Sequence, residues 1–110
     1  MASKRNPQNS IINSAASTVT VFANPSSTAF AYVWKIQLTA GGASNLTFQQ
    51  STASGISALS GPFDITGAGG SITKPDGGGG EPWYKVDPSA TFSILNSGSA
   101  QLSGECQWSN

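Results

Sequence analysis

The chain has no histidine, one cysteine and one methionine, and only 9% of its 110 residues are charged. Each shortage removes a class of chemistry. Without histidine there is no imidazole to ligate a transition metal, and a serine or cysteine nucleophile lacks its usual activating base. A single cysteine, Cys106, excludes an intramolecular disulfide and any cysteine-rich zinc cluster. Five Lys/Arg balance five Asp/Glu, so no strong field draws nucleic acid or an anionic membrane surface. No apolar run is long enough for a membrane span, and MASKRNPQNSIINSAAS does not read as a cleavable signal, so the expected place of synthesis is the cytoplasm.

The acids are also too dispersed for catalysis. A paired-carboxylate glycosidase needs two acids held together in a cleft, whereas Asp64, Asp76, Glu81, Asp87 and Glu105 fall singly on expected turns or outward faces. The ordered DxDxDG spacing of a calcium loop is missing as well. The expectation is a protein that is not an enzyme and takes no cofactor and no metal. Cys106, between Gly104 and Trp108 with no positive neighbour in sequence, reads as an inert core thiol.

What is present is strand chemistry. Ser, Thr, Gly, Asn and Val dominate, and the unbranched helix formers never recur at helical spacing. The clearest strand is residues 30–39, FAYVWKIQLT, with Tyr32, Trp34, Ile36 and Leu38 expected inward and Val33, Lys35, Gln37 and Thr39 outward. Ala40-Gly41-Gly42-Ala43 then reads as a tight turn into residues 45–49, predicting a hairpin whose second strand points Leu46 and Phe48 inward. Further strands are expected at 18–23, 56–59, 63–65, 71–73, 83–86, 91–95 and 101–108, the last with Leu102, Gly104, Cys106 and Trp108 on one face. Short strands at roughly 8 to 12 residue spacing leave an antiparallel sandwich, a jelly roll or a small barrel open, in a single domain.

Residues 1–16 differ in kind and are expected to form an extended N-terminal arm ahead of a domain at 17–110. The arm carries Lys4 and Arg5, and the adjacent Ile11 and Ile12 suggest insertion into a neighbour's groove. A second candidate contact is the run Asp76, Gly77, Gly78, Gly79, Gly80. It is not a phosphate cradle: Glu81 at its mouth repels an anion, Pro82 removes a donor, and neither the Walker nor the dinucleotide spacing is present. It reads instead as a slack connector that re-enters the fold at Pro82 and Trp83, with the indole filling core and its N–H seeking an acceptor. Of the three tryptophans, only Trp83 beside Tyr84 is a candidate for an exposed, sugar-stacking ring.

The pieces KIQLTAGGASNLTFQQ, ALSGPF, GGSITKP and EPWYKVDPSATFSILNSGSAQLSG occur here in an order that resembles small, strand-rich structural proteins of tailed bacteriophages. The likeness covers about residues 30 to 104. It implies a jelly-roll-like β-sandwich, made in the host cytoplasm and located on the virion as a capsid decoration, or cement, protein. The partners implied are the major capsid protein and further copies of the chain, as a dimer or trimer, with no nucleic acid and no membrane. A tail or fibre component binding a host glycan is the alternative on the same fold. A bacterial adhesin or carbohydrate-binding module fits less well, for want of a secretory signal.

Overall fold

The computed structural model describes residues 7–75 and 81–110, and among them every regular element is a strand. In chain order these are β1 (Gln8–Ser14), β2 (Thr18–Ala23), β3 (Ala31–Ala40), β4 (Ser44–Thr52), β5 (Gly55–Ala58), β6 (Phe63–Ile65), β7 (Ser71–Lys74), β8 (Tyr84–Val86), β9 (Thr91–Asn96) and β10 (Leu102–Ser109). They form two five-stranded antiparallel sheets. One runs β1-β10-β3-β7 with β8 also on β3, and the other β2-β9-β4-β5 with β6 also on β4. The two inner faces share one core, to which Ile12, Ile36, Leu38, Leu102 and Cys106 contribute from the first sheet, and Val19, Phe22, Leu46, Phe48, Phe92 and Ile94 from the second.

The hairpin expected at residues 40–43 does not form. β3 lies in the first sheet and β4 in the second, so Ala40 to Ser44 carries the chain from one sheet to the other. Alternation of apolar residues tells which face of a strand is buried, and it reads the same whether the next strand lies alongside or across the core. The backbone of the crossing is bonded sideways: Gly41 N–H donates to the Gln101 carbonyl (2.7 Å) and Ala40 N–H to the Gly70 carbonyl (2.8 Å). A side chain at Gly41 would press on the Gln101 Cβ, so glycine permits this close approach.

The inward row of β3 also departs from simple alternation. The pairing with β10 slips between Gln107, opposite Lys35, and Trp108, opposite Val33. A bulge at Trp34 therefore changes the parity, so that Ile36, Leu38 and Ala40 face the core on one side of it and Ala31 and Val33 on the other. Tyr32, expected inward, is only partly buried. Trp34 is fully buried and donates from Nε1 to Ser109 Oγ (2.8 Å). Ser109 is paired with Tyr32, on the face turned away from Val33.

Within the stretch expected as an arm, residues 8–14 are β1, in unbroken register with β10 from Gln8 opposite Trp108 to Ser14 opposite Leu102. The expectation that Ile11 and Ile12 are both exposed is corrected here, because neighbouring residues of a strand face opposite ways. Ile12 is 2% exposed in the chain's own core, while Ile11 is 72% exposed on the outer face.

Buried amides tie the crossings together. Asn96, fully buried, donates from Nδ2 to the carbonyls of Ala16 (3.1 Å) and Ala100 (2.8 Å), and its Oδ1 accepts from Ser44 Oγ (2.6 Å) and Ala100 N–H (3.3 Å). One side chain thus joins the β1–β2, β3–β4 and β9–β10 connections. Asn24 does similar work elsewhere, donating to the carbonyls of Ala29 (2.9 Å) and Asp87 (3.1 Å) and accepting from Ser26 N–H (3.0 Å).

Two outcomes are expected. Asn96→Ala leaves several buried groups without partners and should lower unfolding stability by at least about 2 kcal/mol, read as a fall in the urea midpoint. Gly104 lies mid-strand with φ +156, and a Cβ there would collide with the Gln37 carbonyl. Gly104→Ala should therefore cost about 1–3 kcal/mol or more, whereas alanine at the open Gly61 serves as a near-neutral control.

Candidate functional site

The sequence-predicted contact residues divide three ways. Lys4, Arg5 and the run Asp76, Gly77, Gly78, Gly79 and Gly80 lie outside the described residues. Ile12 is core. Ile11 alone among them is placed on a described surface, and its strand sets the site.

That surface is the outer face of the first sheet. Opposite Ile11 stands Glu105, opposite Asn9 stands Gln107, and opposite Asn13 stands Ser103, so one exposed isoleucine is framed by amides, a hydroxyl and a carboxylate. Side chains lock β1 onto β10: Asn9 Nδ2 donates to Glu105 Oε2 (3.2 Å), Gln101 Nε2 to Asn13 Oδ1 (2.7 Å), and Trp108 Nε1 to Ser10 Oγ (2.9 Å). Beyond β10 the same face continues with Gln37 and Lys35 of β3, and then Thr73 of β7 opposite Gln37.

A second surface feature closes a chain of rings. Trp108 stacks on Phe22 (centroids 4.1 Å apart), Phe22 meets Phe92 (5.4 Å), Phe92 stacks on Phe48 (5.9 Å), and Phe48 contacts both Phe63 (5.7 Å) and Tyr84 (5.5 Å). Aromatic contacts at these separations add to the stability gained by burying the rings. The chain of rings reaches the surface at Lys74, whose ammonium lies 4.6 Å from the Trp83 ring centre, 5.2 Å from that of Phe63 and 5.6 Å from that of Tyr84. Burial is the larger influence on the Tyr84 hydroxyl and raises its pKa, against a hydrogen bond to Ser60 that lowers it.

Trp83 does not fill the core as expected. It is 42% exposed and is held by hydrogen bonds instead, its backbone N–H donating to the Val33 carbonyl (2.7 Å) and its Nε1 to the Pro75 carbonyl (2.7 Å). The lysine's position over these rings has no sequence signal, because Lys74 is remote from Phe63 along the chain.

Among the described residues no three of His, Cys, Asp and Glu gather to hold a metal ion, and no pocket opens in the surface. The arrangement offers flat polar faces, single exposed apolar side chains and a lysine-capped aromatic cluster, which are features suited to surface contact. Compared with protein-family models, with curated proteins and with solved structures, the chain matches none at a significant level.

Cys106 is fully buried on the inner face of β10, and burial pushes its thiol up to about 12 from 9.0. The thiol is therefore neutral across the physiological range and a poor nucleophile. A pKa raised by folding supports the folded state fully below 9.0, and that support is lost as pH climbs through 12. Unfolding stability should thus fall with a steeper slope above pH 9.0 in the native protein than in Cys106→Ala. A disulfide-exchange reagent should label Cys106 fully only in denaturant; rapid labelling of the native chain would contradict this placement.

Proposed function

We propose that the chain is a virion structural protein, a capsid decoration protein that binds a phage head and stabilises it by contacting neighbouring capsid subunits. The reading rests on the resemblance of residues 30–104 to small phage structural proteins. The observation that carries it is the outer surface. The outward residues paired across the first sheet are hydroxyls and amides with scattered charge, interrupted by isolated apolar side chains such as Ile11. Such a surface keeps a protein soluble before assembly, and many weak copies then reinforce a repeating shell together.

The finer fold belongs to the same reading. With β5 and β6 counted as one interrupted strand on β4, and β7 and β8 as another on β3, eight strands remain, and every connection crosses between sheets except that from β4 to β5. This is the path of two nested Greek keys, a jelly-roll sandwich. Ile11 on β1 is the described residue offered to a partner; Ile12 is withdrawn from that role by its burial.

One observation favours a second reading. Trp83 is 42% exposed beside Tyr84 and Lys74, as a tail or fibre component that stacks a host glycan would require. Fractionating the purified virion discriminates the two. Under the decoration reading the chain is found in heads in stoichiometric amounts, and heads stripped of it lose heat stability that returns on adding it back. Its recovery only with tails, together with quenching of tryptophan fluorescence by a glycan and loss of that quenching in Trp83→Ala, would establish the second reading. Absence from the particle would end both.

A further inference from the structure

The four edges of the two sheets are not equally protected. A long, flat, uncharged edge strand is a template for another chain, and native sheets blunt their edges with bulges, lysine, proline or short strands. β2 is bulged between Thr20 and Phe22. The edge made by β5 and β6 consists of pieces of four and three residues, the first beginning at Gly55 and the second preceded by Pro62 and carrying Asp64. The edge made by β7 and β8 is equally short, carries Lys74 and Lys85, and is flanked by Pro75 and Pro82. β1 has only Pro7, just before its first residue: its seven residues, QNSIINS, carry no charge, no internal proline and no slip in their register with β10.

We propose that β1 is the self-association edge of this protein, pairing antiparallel with β1 of a second copy about a two-fold axis at Ile11. The proposal rests on the decoration reading, whose resemblance implies further copies of the chain as partners, and names the interface between two of them. Ile11 is the middle residue of the strand, so this register places Ile11 directly against its own mate and covers the most exposed large apolar side chain of the described surface, 72% exposed in the single chain. On the same face Asn9 falls opposite Asn13 of the second copy. Asn9 uses its N–H2 group on Glu105 and keeps a carbonyl to accept, while Asn13 accepts from Gln101 and keeps an N–H2 group to donate. The two-fold axis makes both Asn9–Asn13 pairs, each with a donor facing an acceptor. Ser10 falls opposite Ile12, and no like charges meet along the strand. The product is one continuous ten-stranded sheet formed from the two first sheets.

Sedimentation equilibrium over a wide concentration range tests this with the full chain. The native protein should show a concentration-dependent dimer. Ile11→Glu sets a carboxylate against its own mate and should weaken the dimer about tenfold or more; because Glu105 lies opposite within the same chain, the thermal midpoint of its diluted monomer should fall slightly, whereas that of Ile11→Lys should be nearly unchanged. Ile11→Lys should weaken it likewise, and mixing the two variants should restore a heterodimer, since position 11 faces position 11. In Ile11→Cys, mild oxidation should cross-link the pair, the buried Cys106 taking no part. A monomer at all concentrations, a trimer, a dimer indifferent to Ile11→Glu, or failure of the mixed variants to recover association would each overturn the proposal. Absence of the chain from virions would sink the decoration reading and leave this result standing.

Discussion

The buried amide of Asn96 is the interaction on which the two-sheet arrangement turns. A chain that crosses repeatedly between sheets leaves backbone donors and acceptors at each crossing with no ladder partner, and water does not reach those at the end of the core. An amide offers donors and an acceptor from one side chain, and Asn96 directs them to three crossings at once. A hydrophobic residue of equal size would fill the space and leave the crossings unbonded. The fold is therefore specified by a polar group as much as by its apolar core, in keeping with the satisfied state expected of buried networks. No buried side-chain nitrogen or oxygen among the described residues lacks a partner.

Much of the architecture was legible in the residues, and the failures have physical causes. Turn residues and β-branched runs located β2 and β6 to the residue and most of the other strands to within one or two positions. β1 escaped because an edge strand with one face outward buries a single large apolar residue, Ile12, and QNSIINS therefore shows no alternation. The β3–β4 crossing read as a hairpin because periodicity carries no information on which strand lies alongside. The bulge at Trp34 was hidden for a related reason: an extra residue in a strand is visible only against its partner's register. Asn96, in ILNSGSA, looked like one more turn residue, since nothing local distinguishes an amide turned toward solvent from one turned inward.

The candidate site was legible to a smaller degree. Ile11 was singled out for its apolar character in a polar stretch, and the structure leaves it on the surface. Lys74 was not, because its three aromatic neighbours come from β6, β8 and the residue before β8, which only the fold brings together. A hydroxyl-rich exterior without large apolar patches limits unwanted association.

The clasp between Trp83 and Pro75 has a consequence for the short strands beside it. Both banks of the segment from 76 to 80 are fixed independently of it, one by the indole on the Pro75 carbonyl and the other by the Trp83 backbone on Val33. The two bonds join the end of β7 to the start of β8, so the registers of these two short strands on β3 are set as one unit.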